Sequence, residues 1–308
     1  ESSGSQSPDG ILDTFRDRIR FGLMTFDSYG NQGSGVAAGD APDPVSGMAG
    51  LWSYYPDWLN NSGQHATGNP VGCAVAPYEV GARNQAAPPW EGRLIPFRPQ
   101  DAALTDIQLT NAHIQEELIS LRPFGGTPID GMLADAREFL INDASIDPNT
   151  NKDFGPRNDQ FYQLGCRKQF IILLSDGTPN EDLRPSCEQN IPAPPGKCPY
   201  PDKAADTALL LSSLPGSKAI QTFVVGFALP PPASLPAGKT CADLDLVNDC
   251  DPINNPPAEL AACCALNKIA NAGGTSHAYF ANDIINLKKQ LAQILAAIAS
   301  GSTARTVP

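Results

Sequence analysis

Hydrophobic positions along this chain follow two rhythms. Four short apolar runs, at residues 21–26 (FGLMTF), 170–174 (FIILL), 220–227 (IQTFVVGF) and 278–280 (AYF), have the length and the β-branched and aromatic content of buried strands. Elsewhere the apolar residues recur every three or four positions. Residues 106–121 predict an amphipathic helix through Ile107, Ile114, Leu118 and Leu121, and residues 129–140 predict a second, with Pro128 at its first turn. Further helices are expected over 202–214, 258–272 and 283–299, the last with Ile284, Leu287, Leu291, Ile294, Leu295 and Ile298 on one stripe. A short helix is expected over 13–19. The segment 93–98 (RLIPFR) reads as an edge strand pairing antiparallel with the strand at 21–26, because Pro96 is tolerable only at an edge.

Strands that alternate with helices imply βαβ units and a mostly parallel sheet covered on both faces. The expected fold class is therefore α/β, a doubly wound central sheet flanked by helices. Four stretches show neither rhythm: 27–90, 142–168, 178–201 and 229–257. Their Pro, Gly and Cys content marks them as insertions into one domain spanning residues 1–300, with 301–308 opening a linker. Those at 27–90, 178–201 and 229–257 leave strands at their C-terminal ends and are expected on one sheet edge, whereas 142–168 enters a strand and belongs to the opposite edge.

Composition narrows the function. A formal charge of −12, with no run among the 21 Lys and Arg residues, argues against nucleic acid and favours cations. No stretch approaches the roughly 18 uninterrupted apolar residues of a membrane span, and residues 1–20 lack the layout of a signal peptide, as expected of a soluble, processed segment. The eight cysteines, at 73, 166, 187, 198, 241, 250, 263 and 264, lie mostly in core-poor loops and form no CxxC pair. They predict disulfides in an oxidising compartment in preference to a zinc site. Cys187 and Cys198 bracket one Pro-rich loop and form the expected local pair; Cys263 and Cys264, adjacent on a helix, point apart and need different partners.

Three motifs fall where an α/β sheet places its binding loops: Glu1-Ser2-Ser3-Gly4-Ser5, Gly125-Gly126-Thr127-Pro128 ahead of a helix, and Ser175-Asp176-Gly177 directly after FIILL. Singly they read as a flexible tail, a helix start with Thr127 as its cap, and a turn. Together they resemble the metal-ion-dependent adhesion site of von Willebrand factor type A domains. That resemblance implies hydroxyl ligands at Ser3, Ser5 and Thr127, with Asp176 acting directly or through water on Mg²⁺, Mn²⁺ or Ca²⁺. Glu1 stands where the family carries Asp, and its extra methylene strains the octahedral shell that Mg²⁺ demands. The family carries a buried strand ahead of this motif, expected here either to be lost or to lie upstream of Glu1, and only about 15 residues separate Ser5 from Phe21, close to the minimum for a crossover.

Two longer blocks, residues 166–179 (CRKQFIILLSDGTP) and 269–283 (IANAGGTSHAYFAND), resemble the N-terminal region of the type IV pilus tip adhesin and assembly family. The resemblance implies export through the periplasm to the pilus tip, at the cell surface. The implied partners are a protein ligand offering a carboxylate (a host or surface receptor), the minor pilus subunits, and a C-terminal propeller domain outside this chain. Binding is expected, not catalysis: His65, His113 and His277 lie away from the three motifs and leave no evident general base. A purely structural A domain with a degenerate metal site, and an enzyme subunit such as a metal-dependent hydrolase or chelatase partner, stand as alternatives. A weaker second site is a calcium-like loop in which Asp147, Asn149, Asn151 and Asp153 alternate, although Lys152 occupies the position an EF-hand gives to Gly. Asp243, Asp245, Asp249 and Asp251 crowd around Cys250 and are expected to form a polar, disulfide-pinned loop.

Overall fold

The computed structural model describes residues 10–24, 94–95, 97, 103–120, 127, 129–141, 146–147, 152–153, 159–177, 183–184, 198–199, 202–229, 232–235, 237–254 and 256–302. The chain divides into two compact units, Glu1–Asp159 with Asn180–Pro201 and Gln160–Pro179 with Asp202–Pro308.

In the first unit, helix α1 (Ile11–Thr14) starts two residues before the expected short helix over 13–19 and gives way to turns from Phe15. The carboxylate of Asp13 accepts the Gly10 N–H at its start, and the other oxygen accepts a bond from Asn111 Nδ2 on α2 (Leu104–Ser120). That pairing lets the otherwise costly Asp13 lie buried. Helix α3 (Ile129–Ile141) turns Ile129, Met132, Leu133 and Leu140 inward at helical spacing, and the Phe139 ring lies 6.1 Å from that of Phe97. Strand β1 (Leu23–Met24) pairs antiparallel with β2 (Leu94–Ile95), the edge pairing that Pro96 signals. Two further antiparallel ladders, β3 (Ile146–Asp147) with β4 (Lys152–Asp153) and β6 (Leu183–Arg184) with β7 (Cys198–Pro199), lie inside stretches expected to carry no elements. Two-residue ladders are too short to set up an apolar alternation, so nothing in the pattern announces them.

The second unit holds the α/β core. Helix α4 (Gln160–Gln163) precedes strand β5 (Phe170–Ser175), which runs parallel to β8 (Gln221–Phe227), and β8 runs parallel to β9 (Tyr279–Ala281) in the order β5-β8-β9. Helix α5 (Ala204–Ser212) lies between the first two strands in sequence and α6 (Ala261–Ala272) between the last two; α7 (Ile284–Ser302) follows β9. The central strand is the most deeply covered: Val224 and Val225 are fully buried, as a parallel strand covered on two faces requires. Helices α5 and α6 pack on each other and on β8, and α7 packs on β9. Gly273 ends α6 against β8, its carbonyl accepting the Thr222 N–H; a Cβ there would lie 2.9 Å from the Thr222 carbonyl oxygen, so no larger residue fits. The stretch after β8 is likewise not structureless, since short 3₁₀ turns at Cys241–Asp243, Pro252–Asn254 and Ala258–Leu260 shape it.

Candidate functional site

In a parallel sheet all strands end on one edge, and the register fixes what gathers there. Ser175 of β5 lies opposite Gly226 of β8, and Phe227 lies opposite Ala281 of β9. Asp176, Ala228 and Asn282 therefore open the three loops of one edge. Ala228 adopts a left-handed backbone with φ of 55° while its N–H donates to the Ala281 carbonyl at 2.8 Å, turning the chain out of the sheet into the 229–257 loop. Gly226 is required by close approach, because a Cβ would meet the Phe280 ring at 2.8 Å.

Asp176 is exposed and accepts no hydrogen bond from any described residue. Its neighbour Ser175 is buried and spends its hydroxyl locally, accepting the Gly177 N–H at 3.3 Å. The turn thus leaves this exposed carboxylate unengaged among the described residues, a ligand type suited to a hard divalent ion. Thr127 belongs to the first unit, where it is half-buried and its carbonyl accepts the Ile129 N–H as α3 begins. Glu1, Ser3 and Ser5 lie outside the described residues.

In the calcium-like stretch, Ile146 lies opposite Asp153 and Asp147 opposite Lys152 across the β3–β4 ladder, while Asn149 and Asn151 lie outside the described residues. Cys187 also lies outside them, and Cys198 stands on β7 opposite Arg184. Among the described residues no three His, Cys, Asp or Glu side chains group as metal ligands. A hydroxyl-rich adhesion site, with only one or two carboxylates, would not form such a group. No helix among them is long and apolar enough to cross a membrane.

The 229–257 loop is where sequence reading saw least. Disulfides join Cys241 to Cys263 and Cys250 to Cys264, so the adjacent helical cysteines have different partners. Their Cα atoms stand 5.3 and 5.4 Å apart across the two bridges. Asn267, buried on α6, donates to the Cys241 carbonyl at 2.6 Å and accepts the Ala278 N–H at 2.9 Å, tying the loop to the entry of β9. Its signal was present in the sequence: it is a polar residue within the stripe of Cys263, Leu266 and Ala270.

The four aspartates of the loop are spent on its own backbone, on the Thr240 hydroxyl and on Lys239. Asp243 is held below the usual carboxylate range first by the Thr240 hydroxyl, Asp245 by the N–H groups of Asn248 and Val247, and Asp249 by Lys239. Asp251 accepts the Ile253 N–H at 2.9 Å. The expected polar, disulfide-pinned loop is therefore what these residues build. Cys166, ahead of β5, is an exposed free thiol. No family model matches the chain, and neither a curated protein nor a solved structure does.

Proposed function

We propose that this chain is a von Willebrand A-type module of a bacterial surface appendage of the type IV pilus kind, which holds a divalent ion and through it a carboxylate of a partner protein. The observation that carries the reading is Asp176, an exposed, unengaged carboxylate immediately beyond a parallel apolar strand. Ligands of open α/β sheets sit beyond the carboxyl ends of the strands, where this turn stands. The order β5-β8-β9, with a helix between successive strands, fits one half of a doubly wound sheet. Two disulfides suit an exported protein.

In this reading Asp176 is a ligand of the ion, and the resemblance names hydroxyls at Ser3, Ser5 and Thr127 and the carboxylate of Glu1 as the further ligands to be tested. When bound, Mg²⁺ or Mn²⁺ supplies an electrophilic position that neutral hydroxyls leave undercompensated, and a partner carboxylate completes it. The test is calorimetric titration with Mn²⁺. Wild type should bind, whereas Asp176→Ala and Thr127→Ala should each lose at least about tenfold in affinity while unfolding as cooperatively as wild type, since neither side chain anchors a core. Unchanged affinity in both variants overturns the assignment.

Glu1 favours a second reading, a structural A domain that serves filament initiation through protein contacts alone. It predicts no heat with Mg²⁺, Mn²⁺ or Ca²⁺ in wild type.

A further inference from the structure

Val247 and Ile253 are 68% and 86% exposed, on a loop whose Cys241, Leu244 and Cys250 are buried and whose Leu235 and Leu246 are partly buried. Single exposed aliphatics are ordinary. These two stand on one closed segment: Asn254 Nδ2 donates to the Val247 carbonyl at 2.9 Å and to that of Asn248 at 3.4 Å, closing 247–254 on itself. Asp245 accepts the Val247 and Asn248 N–H groups, Asp251 accepts that of Ile253, and Lys268 Nζ fastens the Cys250 carbonyl at 2.9 Å. With the two disulfides, this loop has little freedom left to lose on binding, and that ordering cost is what usually weakens loop recognition.

We propose that Val247 and Ile253 are the anchor of a docking surface for a different protein, one that presents an apolar cleft flanked by lysine or arginine. Charge selects the occupant. Residues 239–254 carry Asp243, Asp245, Asp249 and Asp251 against Lys239 alone, and Lys239 is tied to Asp249. A second copy of this chain would bring the same negative rim and be repelled, and anionic lipid headgroups would be repelled as well. A basic rim is attracted, and the two aliphatic side chains fill the cleft within it. The surface needs no metal and is independent of the reading based on Asp176.

The experiment uses the full chain in EDTA, so that failure here leaves the metal reading standing. The probe is a fluorescent synthetic peptide whose helical faces carry Leu and Lys. Fluorescence anisotropy should show binding that weakens as salt is raised. The double variant Val247→Ser/Ile253→Ser should bind at least tenfold more weakly, and Leu210→Ser, which removes an exposed leucine on α5, should bind as wild type does. Equal affinity of the double variant and wild type overturns the proposal. So does equal binding of the Leu/Glu counterpart, or binding of the pair to phosphatidylcholine vesicles in place of the peptide.

Discussion

Asn267 is fully enclosed, and both ends of its amide are used by main-chain groups from different segments, the Cys241 carbonyl and the Ala278 N–H. An apolar replacement of similar size keeps the volume but strands both groups away from water. Each stranded group costs about 1–3 kcal/mol, so Asn267→Leu should lower the unfolding free energy by about 2–6 kcal/mol. Urea denaturation measures this directly; a midpoint equal to that of wild type would mean that the two groups find other partners. Sequence periodicity marks this position as inside the buried stripe of α6 but not what the amide binds, because its partners come from 26 and 11 residues away. Asp176 was legible for the opposite reason: its place follows from the apolar run directly before it, a purely local signal.

At the scale of elements, legibility follows the length of the pattern. The apolar runs 170–174 and 220–227 and the stripe 129–140 emerge as β5, β8 and α3 within a residue at each end. The loop after β8 carries no period, because turns, carboxylate caps and disulfides shape it in place of a repeating face. Those carboxylates make its pH dependence predictable. Asp243, Asp245 and Asp249 have folded values below their unfolded ones, so the stability they add is complete above the ordinary Asp value near ~3.9 and is lost as pH falls through the lower folded values. The amide signals of Val247 and Asn248, which report on Asp245, should therefore stay constant from neutral pH down to the carboxylate range and titrate with a midpoint below ~3.9. A midpoint at or above the ordinary value would mean that Asp245 does not accept these bonds in solution.

At the scale of the whole molecule, the cysteines account for how one core-poor stretch of a strongly acidic chain, 229–257, keeps its shape. Eight cysteines admit on the order of a hundred complete pairings, which spacing alone cannot sort. The fold selects two pairings by carrying the start of α6 to the loop that leaves β8, so that Cys263 and Cys264, one residue apart and turned to different sides, each meet one loop cysteine. A bridge closing a ring of this size limits the unfolded chain enough to contribute about 3 kcal/mol. Cys166 stands apart: it precedes β5, it is exposed, and its thiol is free. Native protein treated with iodoacetamide and then mapped by mass spectrometry without reduction should therefore carry the label at Cys166. The same digest should yield the peptide pairs 241–263 and 250–264 intact, and the loop 178–201 is expected to yield Cys187 joined to Cys198. Labelling of Cys263 or Cys264 before reduction would break the framework, and with it the rigid loop on which Val247 and Ile253 are displayed. Labelling of both Cys187 and Cys198 would remove only the local bridge and leave α6 and its loop as described.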